Sequence, residues 1–192
     1  MRPAGAIRRP SPAPETKRAP APVPTVSAAG RFEGYASLFG REDLSGDVVE
    51  AGAFRRSLAE RGAAGVKLLF QHDPHEPVGR WLEIAEDRTG LRVVGELVSE
   101  TRRGREVMSL MRLGLVDGLS IGFRTVRSRT GPGGAVRRLL EIDLWEISIV
   151  TFPMLPGARL RAAKTARPPL AADAATLVAR LGRCAQDLRK TR

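Results

Sequence analysis

The sequence predicts a β-rich α+β domain held between two dissimilar tails, and three observations carry that expectation. Apolar and polar residues alternate with period two through most of 31–150, in segments separated by turns rich in Gly, Pro and Asp. Helical spacing is confined to two short stretches inside that body, near 51–61 and 101–113. Seven of the 14 prolines fall in the first 30 residues, interleaved with Ala, Ser and charge, where they can neither pair as strands nor continue a helix. The 192 residues thus divide into a disordered leader over 1–30, a body over 31–161 and a basic tail over 162–192, and the body alone is long enough to bury a core.

Taken in order, Phe32, Gly34, Ala36 and Leu38 alternate with Glu33, Tyr35, Ser37 and Phe39, which gives a first strand over 31–39. A polar, turn-rich loop covers 40–46, and 47–50 lead into a helix over 51–61, where Phe54 and Leu58 stand four apart and Gly62 ends it. Val66, Leu68, Leu69 and Phe70 read as a strand buried on both faces, which delivers His72 at its end. Pro74 and Pro77 impose an extended turn before 78–85 and 91–98, which alternate as a hairpin about Asp87-Arg88-Thr89-Gly90. Ser99 or Thr101 caps the second helix, whose apolar stripe is Val107, Leu110, Met111 and Leu113 and whose end is Gly114. A strand running on from Ser120 and a long one over 138–150 follow, joined by a glycine-rich turn at 130–135. In the tail, Leu177, Val178, Leu181, Ala185 and Leu188 recur at helical spacing with Arg180, Arg183 and Arg189 around the turn, a basic amphipathic helix on a flexible link.

The formal net charge of +11 belongs mostly to the tails: residues 1–30 carry +4, residues 162–192 carry +5, and the body only +2. A body with no basic stripe and 5% aromatic residues lacks the equipment of a nucleic-acid-reading domain. No run approaches the roughly 20 apolar residues of a membrane span, and the first residues lack the apolar core of a secretory signal, so a soluble intracellular protein is expected. The single cysteine, Cys184, excludes an intramolecular disulfide and a thiolate metal cluster.

Chemistry concentrates in three stretches. Gly118-Leu119-Ser120-Ile121-Gly122 matches G-x-S-x-G, but the hydrolase elbow of that pattern turns from strand to helix and has its histidine downstream. Here a strand follows and both histidines, His72 and His75, come earlier, so the local pattern admits either a nucleophile or a serine in a glycine-flanked strand. A base for Ser120 must be one of those histidines or a lysine. His72, Asp73, His75 and Glu76 also offer a metal-ligand set, although Pro74 and Pro77 oppose the helix that would align the two rings. On strict alternation through 139–150, Glu146 shares a mainly apolar face with Ile142, Leu144, Ser148 and Val150, whereas Asp143 and Trp145 take the other. A carboxylate so placed requires a partner, an imidazole or an arginine.

Five stretches together carry a resemblance: Gly34-Tyr35-Ala36-Ser37-Leu38-Phe39; Gly46-Asp47-Val48-Val49 with Gly52-Ala53-Phe54; Leu68-Leu69-Phe70-Gln71-His72-Asp73; Gly118 to Phe123; and Asp143-Leu144-Trp145-Glu146-Ile147-Ser148. In that order they resemble the prohead maturation proteases of HK97-type tailed phages, also carried by gene transfer agents, over about 32–161. The resemblance implies a herpesvirus-protease-like β-barrel with flanking helices. It implies a serine endopeptidase that cleaves scaffold and the N-terminal segment of the major capsid protein, and then itself, within the assembling prohead in the bacterial cytoplasm. It places the nucleophile at Ser120, the base at His72 and the third member at Glu146, with Asp143 and His75 as alternatives, and it involves no cofactor or metal. Capsid protein and scaffold are the expected partners, in a homo-oligomer, with no role for membrane or nucleic acid. Two rivals stay open: a non-enzymatic scaffold- or capsid-binding assembly protein in which Ser120 is inert, and a packaging protein that grips nucleic acid through its tails.

Overall fold

Strand β7 (Arg137–Val150) is the spine of the fold, because both of its edges are occupied along most of their length. The structure, a computed structural model, describes residues 26–131 and 136–161; most of the expected leader, the centre of the 130–135 turn and the basic tail lie outside the described residues. On one side β7 pairs antiparallel with β6 (Gly118–Thr130). On the other it takes β2 (Asp47–Val49) and then β3 (Lys67–Phe70), both parallel. The gap between those two partners is filled from the start of helix α1 (Arg55–Gly65). Ile142 N–H donates to the carbonyl of Ala53, and Leu144 N–H donates to Ser57 Oγ at 2.8 Å. A buried strand thereby leaves few donors unpaired where no neighbouring strand is available.

From β3 the sheet continues through β4 (Asp73–Glu86) and β5 (Gly90–Leu97) to β1 (Arg31–Leu38). It then closes on itself. Arg159 and Leu160 lie between β1 and the start of β6: Tyr35 N–H donates to Arg159 O, Leu160 N–H to Asp117 O, and Leu119 N–H to Ala158 O. The β-barrel with flanking helices expected from the resemblance is therefore present, with Leu68, Val78, Leu119, Ile142, Leu144 and Ile147 among the residues fully buried in its core. Helix α2 (Arg102–Arg112) caps one side. Thr101 Oγ1 accepts from Gly104 N–H at its start, and Gly114 follows its end at φ 69. No helix among the described residues is long and apolar enough to cross a membrane.

The structure differs from the sequence reading at several elements. Residues 47–49 form a strand, too short to show a period. Helix α1 begins at Arg55 instead of 51, because Gly52 adopts φ 94 and turns the chain first; Gly62 does break the helix, at φ 64. Lys67 is exposed, so β3 is buried on one face only there. Strand β4 starts at Asp73 and includes both prolines, which sit where the β3–β4 register shifts and no regular ladder donor is needed. Leu113 is 70% exposed, since it lies past the last helical turn, and Met108 is buried beside Val107 and Met111 instead. Val26 already belongs to the core.

Barrel closure depends on Gly34. A Cβ at this position would stand 2.6 Å from Arg159 O and 3.0 Å from Leu160 Cα, both backbone atoms that cannot swing aside. Gly34→Ala is therefore expected to destabilise the domain by roughly 1–3 kcal/mol in urea unfolding. Gly131→Ala, whose Cβ would meet only Val136 O at 3.8 Å, should leave the midpoint nearly unchanged.

Candidate active site

The β6–β7 ladder places Ser120 directly across from Ser148 and Gly122 across from Glu146. Directly opposed residues share a face, so the side chains of Ser120 and Ser148 are neighbours. The two serines are not equivalent. Ser148 is completely buried and hydrogen-bonded, whereas Ser120 is 7% exposed and lines a cavity of about 250 Å³ together with His72, Ser37, Arg41, Asp47 and Phe123. Only Ser120 is open to an incoming molecule. Both glycines of the G-x-S-x-G stretch are required by close approach within a strand, not by an elbow. A Cβ at Gly118 would meet Val150 O at 2.6 Å, and one at Gly122 would meet Glu146 Oε1 at 2.0 Å.

His72 reaches the cavity through an unusual end to β3. The parallel pairing stops at Phe70 opposite Ile149, and the next two residues both take left-handed conformations, Gln71 at φ 57 and His72 at φ 60. Non-glycine residues rarely adopt this geometry, and neighbouring bonds hold it here. Gln71 N–H donates to Ile149 O at 3.0 Å, and its amide Nε2 donates to Thr151 Oγ1 at 2.7 Å. His72 N–H donates to Ser148 Oγ at 3.1 Å. The ring Nδ1 then lies 2.6 Å from Glu146 Oε1. An ionised carboxylate can only accept, so Nδ1 carries the proton and Nε2 has no partner among the described residues. The hydrogen bond to Glu146 is the main reason that the imidazole pKa is raised above its ordinary value, and partial burial works against it.

The sequence placed Glu146 on a mainly apolar face with Leu144 and Ile142, and that detail is corrected. Gly122 pairs with Glu146 but Phe123 pairs with Leu144, leaving Trp145 as an extra residue, 51% exposed. This bulge reverses the alternation, so Ile142, Leu144, Ile147 and Ile149 all face the core while Glu146 turns to His72. The alternative third members are engaged elsewhere. Asp143 accepts from Trp145 Nε1 at 2.7 Å and from Arg61 at 2.7 Å, contacts that hold its carboxyl below the usual carboxylate range. His75 is exposed, with its N–H donated to Asp73 Oδ1. Glu76 is held bidentately by Arg103 of α2, so the ligand set suggested by 72–76 does not converge.

Sequence reasoning missed Ser148, Gln71 and the purpose of Gly122. Ser148 lay two residues from Glu146 in an alternating strand, which was a usable signal; the left-handed Gln71 had none.

The chain matches a model of the family described as Caudovirus prohead serine protease over residues 20–169. It is 37% identical over 139 residues to the prohead protease of Enterobacteria phage HK97, covering 71% of this chain and 61% of that one. It is 25% identical over 136 residues to the prohead protease of Escherichia phage T5, covering 70% and 63%. The chain thus spans less than two thirds of the length of either relative. Among solved structures, the bacteriophage T4 capsid assembly protease aligns at a TM-score of 0.52 with 12% identity, over 64% of this chain and 82% of the other, a likeness of fold.

The geometry sets a pH signature. With its folded pKa raised, His72 contributes stability that is fully present below the unfolded value of about 6.5 and is lost as pH rises through the folded value. NMR titration of the ring is expected to give a midpoint above 6.5. In Gly122→Ala, where the new methyl displaces the Glu146 carboxylate, the midpoint should fall back toward that value.

Proposed function

Because the chain belongs to the Caudovirus prohead serine protease family, we propose that it is a serine endopeptidase of capsid maturation, with Ser120 as nucleophile, His72 as general base and Glu146 as the group that orients the imidazole. The observation that carries this assignment is the 2.6 Å contact of Glu146 with His72, a residue that lines the same cavity as Ser120. A structural histidine needs no carboxylate fixing its tautomer, and a packing serine needs no cavity.

In the reaction, a peptide carbonyl enters beside Ser120. Ser120 Oγ attacks the carbonyl carbon as His72 Nε2 takes the hydroxyl proton. The resulting imidazolium is stabilised through Nδ1–H by the Glu146 carboxylate. Collapse of the tetrahedral intermediate breaks the peptide C–N bond, and the imidazolium returns its proton to the leaving amine. Water, activated by the same imidazole, then hydrolyses the acyl-serine. No step calls for a metal or cofactor. The prohead protease names of the HK97 and T5 relatives point to action in the prohead; as substrates we propose scaffold, the N-terminal segment of the major capsid protein and the chain itself, in the bacterial cytoplasm.

A fluorophosphonate probe tests the assignment directly. Covalent labelling of the wild-type chain at Ser120 is expected, as is accumulation of shortened forms on overexpression, and Ser120→Ala should show neither while keeping its fold. Absence of labelling in the wild type would leave the non-enzymatic assembly protein as the better reading.

The third member is tested by single-turnover cleavage of a capsid-derived peptide. Glu146→Gln is expected to lower the rate by about 10²-fold to 10⁴-fold with little change in melting temperature. Asp143→Asn, which loses contacts only to Arg61, Arg124 and Trp145, should stay near wild type.

A further inference from the structure

Among the described residues, Ser148 is the one completely buried polar side chain at the site that the proposed reaction does not use. Its hydroxyl performs two tasks at once. It accepts from the backbone N–H of His72 at 3.1 Å and donates to Glu146 Oε2 at 2.7 Å. With Glu146 Oε1 on the imidazole, both carboxylate oxygens are bonded, one to the base and one to the serine beneath it. The His72 N–H has no place in a ladder, because the left-handed turn at Gln71–His72 has already carried the chain off β3. Ser148 therefore fixes the chain position of the base and the rotation of its carboxylate from a single atom.

We propose that Ser148 is a positioning residue of this proteolytic site, locking Glu146 and His72 into mutual register so that Nδ1 stays bonded and Nε2 stays free to act as the base. The proposal rests on the assignment of Ser120, His72 and Glu146 made above. Ser148 is sealed from solvent and is not among the residues lining the cavity, so it touches no substrate and acts only through its two partners. Its place in the ladder, opposite Ser120, means that the strand supplying the carboxylate also carries its lock to within one residue pair of the nucleophile. An alanine at this position leaves the His72 N–H and Glu146 Oε2 without their partner in a place closed to bulk water, the costly way to lose a hydrogen bond. The freed carboxylate then rotates away from Nδ1 for part of the time and stabilises the imidazolium less.

The experiment uses the full chain, whose only two histidines make the ring signals easy to separate. In a Ser120→Ala background, NMR titration compares the parent with Ser148→Ala and Ser148→Thr. The His72 midpoint is expected to fall toward that of an unpaired imidazole in Ser148→Ala, to stay near the parent value in Ser148→Thr, which keeps the hydroxyl, and the His75 midpoint should not move in either. With Ser120 restored, Ser148→Ala should lower kcat by about 10-fold to 100-fold at nearly constant KM. In a Glu146→Gln background the same substitution should cost far less, because the lock then has nothing to hold. Should Ser148→Ala fail to fold, Ser148→Cys, close in volume but a weak donor, is read in the same way. A His72 midpoint unchanged or raised on loss of the hydroxyl would overturn the proposal, since the carboxylate would then keep its place without the serine. Failure of the parent chain to cleave anything would count against the protease reading, while the titration would still decide the part played by Ser148.

Discussion

The antiparallel ladder between β6 and β7 sets Ser120 against Ser148 and Gly122 against Glu146, and the other site groups take their positions from it. Register in a sheet is all-or-none on each face, because a slip of one residue sends every side chain to the opposite side. Leu119, Ile147 and Ile149 are fully buried on these two strands, so a slip would bring three core residues to the surface together with the site. Burial of a large aliphatic side chain is worth about 1.5–3 kcal/mol. The core thus enforces the alignment of polar groups that could not enforce it themselves.

Onto that fixed ladder the structure adds two local departures from regularity, each compensated nearby. The bulge at Trp145 turns Glu146 away from the core, and the donor at Leu144 beside it is taken by Ser57 Oγ of α1. The consecutive left-handed residues Gln71 and His72 cost on the order of 1–3 kcal/mol each. They are held by bonds from Gln71 to Ile149 and Thr151 and from His72 to Ser148, all on or just past β7. Strain collects at the base and its carboxylate, and regular structure surrounds them.

Much of this was legible in the residues. Alternation and turn chemistry located β1, the β4–β5 hairpin, β6 and β7; in the hairpin, Asp87 Oδ1 accepts from the N–H groups of both Thr89 and Gly90, the turn that its sequence implied. Thr101 caps α2 as its type suggests, and Gly62, expected to end α1, interrupts it three residues before its end. For Glu146 the residues alone admitted an imidazole or an arginine as partner, and it was the family resemblance that named His72; the strand face assigned to the carboxylate was wrong. A bulge cannot be read from alternation, because Trp145 fits either parity and only the length of the opposing strand decides. Strand β2 was illegible for a related reason: three residues have no period, and their partner lies about 90 positions away in sequence.

The candidate site has no local precursor. Its three groups come from positions 72, 120 and 146: Glu146 lies on β7, and His72 and Ser120 take their places through strands that pair with it. A nascent chain that has emerged as far as Thr130 holds the serine and the histidine but has nothing to bring them together. The parallel β3–β7 pairing must also close a loop of more than 70 residues, which is among the slower steps of folding. The site geometry therefore arrives in one step with the pairing of β7, and no stretch of chain that stops short of that strand has it.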